Sequence, residues 1–223
     1  MHIPVLTIDG PSGAGKGTIS RIVAKRLSWN YLDSGSIYRS LAIALIQKST
    51  DLTNSDEILN IAQTMKLAFE CEDELLVKLD NVDITSQLGT ETTGNVASVI
   101  AAIPEVRQVL LQKQKDFKKL PGLVADGRDM GTVVFPDADI KVFLTASLAA
   151  RAERRYKQLM EKGIDVNIHK ITSEIEARDS RDKGRQAAPL VQSDDACYID
   201  SSAMTINDVI AQVLSLVPRQ LID

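Results

Sequence analysis

The sequence predicts an α/β fold, in which a five-stranded parallel sheet is flanked by helices and carries a small β-rich insert and a helical, charge-dense region. Short apolar runs occur five times, at residues 5–8, 30–32, 123–125, 140–144 and 197–199. Near-continuous apolar strands that alternate with helices indicate a parallel sheet covered on both faces. The chain has 223 residues, of which 44% are hydrophobic, so it can bury a core of this kind within one domain.

Two helices show apolar periodicity, and the last one shows it most clearly. The helix after the first run repeats apolar residues at helical spacing, at Ile19, Ile22, Val23 and Leu27. The last helix does the same with Ile206, Val209, Ile210, Val213, Leu214 and Val217. Thr205 and Asp208 stand three residues apart at its start, which predicts a capping box.

Two regions depart from the strand–helix alternation. Residues 66–85 predict short strands at Leu67–Cys71, Leu75–Leu79 and 82–84, with turn residues at 72–74 and 80–81. Such a β-meander between helices indicates a small inserted subdomain. Residues 148–190 are dense in charge and predict helices without a strand.

Composition excludes several classes of function. Lys and Arg number 26 against 30 Asp and Glu, so a net charge of −4 argues against general affinity for nucleic-acid polymers or anionic membranes. Aromatic residues make up only 4%, too few for a base-stacking platform. Positive charge is nevertheless concentrated locally, because residues 151–185 hold ten Lys and Arg against seven Asp and Glu.

The chain has no sign of a metal centre, a disulfide framework or export. Cys71 and Cys197 lie far apart, and His2 and His169 have no ligand-type neighbours at metal-binding spacing. No apolar run approaches the ~18 residues of a membrane span, and the first residues lack a secretory pattern. We therefore expect a protein of the reducing cytoplasm, with no resident metal.

The sharpest motif is a glycine-rich loop between the first strand and the first helix. It reads Gly10-Pro11-Ser12-Gly13-Ala14-Gly15-Lys16-Gly17-Thr18. Glycines allow backbone N–H groups to surround a phosphate, the helix N-terminus adds positive potential, and Lys16 can reach two phosphates. The motif predicts a P-loop NTPase fold and an ATP site that contains all nine residues.

The loop departs from the generic pattern directly after its lysine. That pattern has Ser or Thr there to hold Mg²⁺, whereas this chain has Gly17 and only then Thr18. The Gly-Lys-Gly-Thr form resembles nucleoside monophosphate kinases rather than GTPases, and no Asn-Lys-x-Asp sequence for guanine occurs. Mg²⁺ is expected to arrive with ATP, mostly bound by water.

A kinase needs an acceptor pocket, and two further loops follow strands. Asp33-Ser34-Gly35-Ser36-Ile37-Tyr38-Arg39 follows the second run, and Asp126-Gly127-Arg128-Asp129 follows the third. Ligands bind α/β sheets at the carboxyl ends of their strands, which favours a binding role for both loops. Helix capping by Asp33 and a structural salt-bridge cluster around Arg128 are the alternatives.

Arginines dominate the region that follows. Arg151, Arg154 and Arg155 share a helix face, a pattern more typical of a solvated surface for Arg154 or Arg155. A later helix is more informative, because its apolar stripe of Ile168, Ile171 and Ile175 continues as Arg178, Asp182 and Arg185. Charges along an inward-facing line predict a lid over an anionic site.

These segments together resemble bacterial-type cytidylate kinase over essentially the whole chain. The resemblance rests on Asp33-Ser34-Gly35, on residues 121–136 (PGLVADGRDMGTVVFP), on Arg178-Asp179-Ser180-Arg181-Asp182 and on the β-rich insert. It implies transfer of the γ-phosphate of ATP to CMP or dCMP by a monomer. It also implies one domain, with a core at about 1–34, 120–147 and 187–223, an acceptor region at about 35–119 that includes the insert at 66–90, and a lid at about 148–186.

The resemblance also implies residue roles. Ser98, Arg107 and Asp129 would read cytosine, Arg39, Arg128 and Arg185 would hold the acceptor phosphate, and Arg178 and Asp182 would meet the sugar, with Ser34, Tyr38, Asp126 and Gly127 nearby. Lys16, Arg128, Arg151, Arg181 and Arg185 would be catalytic. The alternatives are a P-loop kinase for UMP, AMP or shikimate, and a non-catalytic nucleotide-binding module.

Overall fold

The computed structural model describes residues 2–71, 75–161 and 163–221. Its strands are β1 (Val5–Asp9), β2 (Asn30–Asp33), β3 (Leu67–Cys71), β4 (Leu75–Leu79), β5 (Val82–Asp83), β6 (Leu123–Gly127), β7 (Ile140–Thr145) and β8 (Cys197–Asp200). Its helices are α1 (Lys16–Leu27), α2 (Ser34–Gln47), α3 (Ser55–Thr64), α4 (Thr85–Leu88), α5 (Glu91–Ile100), α6 (Pro104–Lys115), α7 (Leu148–Glu161), α8 (Ile168–Gly184) and α9 (Ile206–Ser215). A π-helical turn covers Met130–Val134, and a 3₁₀ turn covers Arg219–Leu221.

The chain forms two compact units. One consists of the chain up to Leu32 together with the chain from Lys118 onward, and the other consists of Asp33–Phe117. The predicted strand runs and helices are each found within a few residues of their expected positions.

The five-stranded parallel sheet confirms the predicted α/β P-loop fold. Its strand order is β2-β6-β1-β7-β8, so β1 is central and all five of its residues are buried. β1 pairs in parallel with β6 in a register that ends with Asp9 opposite Gly127. The sheet thereby brings the glycine-rich loop after β1 next to the loop after β6, as the ligand-binding rule for such sheets requires.

Helices of the first unit cover this sheet. α1 packs on β6 and α9, and α9 begins with the predicted capping box, in which Thr205 accepts from the N–H of Asp208 and Asp208 accepts from the N–H of Thr205. α7 and α8 pack together around buried Ala152, Ile171 and Ile175. Within the described part of residues 148–190 there is no strand, as predicted.

The second unit holds α2 to α6 and a separate antiparallel sheet of β3, β4 and β5. Asp80 and Asn81 turn between β4 and β5 with φ values of 50° and 69°, the conformation of a tight hairpin turn. The third strand ends at Asp83, one residue before the predicted end, because Asp83 accepts from the N–H of Thr85 as α4 begins. The predicted turn at 72–74 lies outside the described residues.

Candidate functional site

The glycine-rich loop connects β1 to α1 with a backbone that glycine alone accommodates at its tightest points. Gly10 has φ of 149°, and a Cβ atom there would lie 1.9 Å from the carbonyl oxygen of Leu144. Gly13 has φ of 78° and lies against the side chain of Arg151, whose Cβ would be 3.2 Å from an added Cβ. These positions let the chain fold tightly in front of the N-terminus of α1, where N–H groups are available to an anion.

Lys16 is buried at the start of α1, and its Nζ donates to the carbonyl oxygen of Pro11 at 2.9 Å. Burial and the positive charge of Arg128 lower the pKa of Lys16 to about 7. Lys16 donates to a neutral carbonyl group, and the charges of Asp126 and Asp9 raise its pKa without outweighing burial. An incoming phosphate would add negative charge beside this ammonium.

Asp9 is a second buried ionisable group of this loop, and sequence reasoning missed it. Its two carboxylate oxygens accept from the N–H groups of Met130 and Gly131, each at 2.8 Å. Burial raises the pKa of Asp9 to about 6, although both hydrogen bonds oppose that shift. Asp9 therefore fixes the π-helical turn that follows Asp129 to the end of β1. Its place directly before Gly10, at a strand end, was the available signal.

Asp126 is the penultimate residue of β6, and its negative charge favours the protonated form of Lys16. Its Oδ2 accepts from the hydroxyl of Tyr31 at 2.6 Å, in a buried contact. A Cβ atom on Gly17 would lie 3.6 Å from this carboxylate oxygen and 3.7 Å from the Tyr31 hydroxyl. Oxygen donors thus stand beside the position where the generic motif has its metal-binding hydroxyl, a donor set that suits Mg²⁺. Tyr31 was not anticipated from the sequence.

A cluster of opposite charges joins the β6 loop to α8. Arg128 Nε donates to Asp182 Oδ2 at 2.7 Å, and Arg185 Nη2 donates to Asp182 Oδ1. Burial alone would raise the pKa of Asp182, but the charges of Arg128 and Arg185 outweigh it and lower this pKa. Burial alone would lower the pKa of Arg128, but the charge and hydrogen bond of Asp182 outweigh burial, so this pKa is raised. The charged continuation of the apolar stripe of α8 is confirmed, because Ile171, Ile175 and Asp182 are all buried.

Four further residues singled out from the sequence lie in the β6 loop, in α8 and in α1. Asp129 is buried immediately before the π-helical turn, and its backbone oxygen accepts from Val133 at 2.9 Å. The positive charge of Arg178 contributes to the lowered pKa of Lys16. The Nε of Arg181 donates to the carbonyl oxygen of Ala177 in its own helix at 3.3 Å. Thr18 is half-buried, two residues beyond the lysine.

Two arginines of α7 contact the outside of the glycine-rich loop. Arg151 donates to the carbonyl oxygens of Ser12 at 2.9 Å and Ala146 at 3.0 Å, and pairs with Asp179 of α8 at 2.7 Å. Arg154 donates to the oxygen atoms of Ser201. The interpretation of Arg154 as part of a solvated face is therefore wrong, because its guanidinium group is half-buried against the loop and the end of β8. Asp179 and Ser201 were missed because their roles depend on contacts distant in sequence.

Five residues expected at the acceptor nucleotide lie in the second unit. The guanidinium carbon of Arg107 lies 5.8 Å from the ring centre of Tyr38, a cation–π geometry. Arg39 donates to the carbonyl oxygen of Leu88 at 2.6 Å. Ser34 donates to Gln114 Oε1 at 2.7 Å, a partner the sequence did not reveal. Asp33 caps α2, so the capping interpretation of that loop holds for this residue.

Ser98 has a hydroxyl group suited to a ligand. It is buried on α5, which packs on α2, and its Oγ has no hydrogen-bond partner among the residues that the structure describes. A buried hydroxyl group without a partner costs free energy, so such an atom indicates a place where a ligand can bond.

No three His, Cys, Asp or Glu residues within 2–71, 75–161 and 163–221 are grouped so that they could hold a metal ion. His2 contacts Asp139 at 2.7 Å at the surface. In the same ranges, no helix is long and apolar enough to cross a membrane.

A glycine-rich loop with a buried lysine, at the carboxyl end of the central strand of a parallel sheet, defines a P-loop nucleotide-binding protein. The family model described as cytidylate kinase matches residues 6–219. A protein from Methylococcus capsulatus named cytidylate kinase is 54% identical over 215 residues, which cover 96% of this chain and 97% of that protein. One of the same name from Aeromonas salmonicida is 49% identical over 221 residues, covering 99% and 96%. The chain belongs to the cytidylate kinase family.

Proposed function

We propose that this protein transfers the γ-phosphate of ATP to CMP and dCMP, giving ADP with CDP or dCDP. The observation that carries the proposal is the buried cluster of Arg128, Asp182 and Arg185 beside the glycine-rich loop of the same unit. A protein that only binds ATP needs one phosphate site, whereas a nucleotide kinase needs a second for the acceptor. Family membership and near-complete coverage by relatives named cytidylate kinase support the same reaction.

The donor side would be formed by residues 10–18. Loop N–H groups and the N-terminus of α1 would hold the phosphates, and Lys16 would exchange its bond to Pro11 for a charge-assisted bond to ATP. Bound with ATP, Mg²⁺ supplies positive charge that offsets the charge of the phosphates. Asp126, oriented by Tyr31, would hold this ion through water, and Thr18 would not ligate it directly.

The acceptor side is proposed residue by residue from membership of the cytidylate kinase family. Ser98, Arg107 and Asp129 would bond the donor and acceptor groups of cytosine. Arg39, Arg128 and Arg185 would hold the phosphate of CMP, since the planar guanidinium group makes paired bonds to phosphate. Arg178 and Asp182 would meet the sugar hydroxyl groups, with Ser34, Tyr38, Asp126 and Gly127 adjoining the nucleotide.

Transfer would proceed by in-line attack of a CMP phosphate oxygen on the γ-phosphorus, with ADP as leaving group. Positioning and charge stabilisation account for most of the catalysis of such reactions. Arg128 and Arg185 would stabilise the charge of the transferring group, joined by Arg151 and Arg181 from the lid at about 148–186. Arg151 could contribute only if it gave up its present bonds to Ser12 and Asp179. Lid closure would exclude water as a competing acceptor.

The test is an ADP-release assay with ATP and CMP, dCMP, UMP, AMP or shikimate as acceptor. We expect turnover with CMP and dCMP far above that with AMP or shikimate, because a site built on hydrogen bonds to one base leaves its own groups unpaired with another. Equal turnover with AMP and CMP would overturn the cytosine assignment. No turnover with any acceptor, together with intact ATP binding, would favour the non-catalytic module.

The expected monomer and cytoplasmic location remain predictions, to be checked by light scattering of the purified protein and by cell fractionation.

A further inference from the structure

The carbonyl oxygen of Ala14, in the middle of the glycine-rich loop, is held from outside the loop. Ser201 Oγ lies 3.3 Å from this oxygen and 2.9 Å from the carbonyl oxygen of Thr145 at the end of β7. Arg154 Nη1 donates to Ser201 Oγ at 3.1 Å and lies 3.5 Å from the Ala14 oxygen. Ser201 is only 3% exposed. Its single hydroxyl proton serves one of the two carbonyl oxygens at a time, so Arg154 and Ser201 together hold the Ala14 oxygen.

Arg154 also fixes the backbone of Ser201. Its Nη2 donates to the carbonyl oxygen of Ser201, while the N–H of Ser201 donates to Thr145 at 2.8 Å. Ser201 directly follows β8, so its hydroxyl group is anchored to two neighbouring strands of the sheet. A planar guanidinium group with two bonds to one residue gives a defined orientation rather than a loose surface contact.

The orientation of this carbonyl determines which N–H the loop offers to a ligand. In a trans peptide the C=O of one residue and the N–H of the next point in opposite directions. Fixing the Ala14 oxygen outward therefore turns the N–H of Gly15 toward the inside of the loop. Gly15 has φ of 93°, and a Cβ atom added to it would have no atom within 4 Å.

We propose that Arg154 and Ser201 are positioning residues for ATP, which hold the 14–15 peptide so that the N–H of Gly15 faces the donor phosphates. Neither residue needs to touch the nucleotide. Arg151 does the same for the 12–13 peptide through Ser12, three residues earlier on α7. The inference rests on the proposed function, since it takes ATP as the ligand of the loop.

The experiment compares Arg154→Gln, Ser201→Ala and Ser201→Thr with the full-length wild type. Calorimetry gives the Kd for MgATP, steady-state kinetics give KM for ATP and for CMP, and hydrogen exchange follows the amides of residues 12–16. Ser201→Ala and Arg154→Gln should weaken ATP binding by about tenfold and speed exchange of the Gly15 amide, because misplacing one phosphate donor misaligns the whole ligand. KM for CMP should change by less than about twofold.

Two comparisons separate positioning from a structural role. Ser201→Thr keeps the hydroxyl group and should restore most of the ATP affinity lost in Ser201→Ala. Lys157→Gln removes a charge from the same helix, where Lys157 forms an exposed pair with Glu153, and should leave ATP affinity unchanged. Thermal unfolding of each variant would show that the fold persists.

The outcomes distinguish the two proposals. Wild-type binding of ATP with unaltered affinity in Ser201→Ala and Arg154→Gln would overturn this inference alone. Equal losses of affinity for ATP and CMP would also overturn it, because they would indicate general destabilisation. Absence of ATP binding by the wild type would overturn the proposed function, and this inference with it.

Discussion

Two buried charge clusters of the first unit respond to burial in opposite ways. At the glycine-rich loop, burial dominates, so the pKa of Lys16 is lowered to about 7 and the pKa of Asp9 is raised to about 6. At the cluster of Arg128, Asp182 and Arg185, partners dominate, so the pKa of Asp182 is lowered and that of Arg128 is raised. The contrast arises from geometry, because Lys16 bonds a neutral carbonyl oxygen while Asp182 lies between two guanidinium groups.

The contrast separates two ways of preparing for a phosphate. The loop holds charges whose compensation is incomplete, so an arriving anion removes a cost already present in the ligand-free protein. In the cluster of Arg128, Asp182 and Arg185, called the α8 cluster below, the carboxylate of Asp182 compensates the charge of the arginines. A phosphate there must therefore compete with Asp182 for Arg128 and Arg185. Removing members of each cluster should therefore have different consequences.

The largest expected effect is on catalysis, in Arg185→Ala. Arg185 bonds Asp182 in the proposed acceptor-phosphate cluster, so we expect kcat to fall by about 10³ or more, the range for arginines that stabilise phosphoryl transfer. The Kd for ATP should change by less than about twofold. Lys183→Ala, which removes an exposed charge from the same helix, is the matched control. Lost ATP affinity with kcat retained would instead place Arg185 on the donor.

The next effect is on stability, in Asp182→Asn. Arg128 and Arg185 would lose their shared carboxylate, which should lower the free energy of unfolding by about 3–5 kcal/mol at pH 7, as for other broken buried pairs. The folded pKa of Asp182 is lowered, so its contribution is present above the unfolded value of about 3.9 and is lost as pH falls through the folded value.

Urea unfolding at pH 7 and pH 3 measures this difference. Asp195→Asn, which breaks the pair of Lys141 with a largely exposed carboxylate, should leave stability close to the wild-type value. A loss in Asp182→Asn no greater than in Asp195→Asn would show that the α8 cluster is not internally compensated.

The cluster on α8 was easier to predict from the sequence than the residues that contact the glycine-rich loop. The stripe from Ile171 to Asp182 was visible because helical spacing is a local property, and charges at core positions are conspicuous. The glycine-rich loop was visible for the same reason. The apolar runs also predicted the sheet, since runs of this length are typical of parallel strands that are buried on both faces.

What the sequence left out depends on contacts between distant segments. Asp9 bonds Met130 and Gly131, more than 120 residues away, and Arg154 reaches Ser201 across 47 residues. Neither residue type is unusual at its position, since an Asp at a strand end and an Arg on a helix surface are both common. Only the packing of α7 against the loop distinguishes Arg154 from a solvated arginine.

Lys16→Met should have a smaller effect on stability, and it tests whether the charge of Lys16 at the glycine-rich loop is incompletely compensated. The folded pKa of Lys16 is lowered from 10.5 to about 7, so the protonated side chain carries a cost that is full below pH 7, declines as pH rises and vanishes above about 10.5. The variant should therefore gain about 1–3 kcal/mol in free energy of unfolding at pH 6 and little at pH 10, while it loses activity.

Urea unfolding without nucleotide at both pH values checks this prediction. Lys25→Met, which alters an exposed lysine of the same helix, should show no such gain at pH 6. A Lys16→Met protein that is less stable than the wild type at pH 6 would mean that its partners compensate this lysine as fully as the arginines compensate Asp182.

The smallest effect is a proton taken up when ATP binds. At pH 8 a lysine with a pKa of about 7 is mostly neutral, and phosphates beside it should restore its usual pKa, so binding should take up close to one proton. Calorimetry at pH 8 in two buffers with different ionisation enthalpies measures this number, because the γ-phosphate of ATP is already ionised there. The uptake should decline as the pH is lowered through 7, where Lys16 is protonated beforehand.

CMP binding at pH 8 should take up no proton, since the arginines and Asp182 keep their charges. Equal uptake for both nucleotides would contradict the distinction between the incompletely compensated charges of the glycine-rich loop and the compensated cluster of Arg128, Asp182 and Arg185.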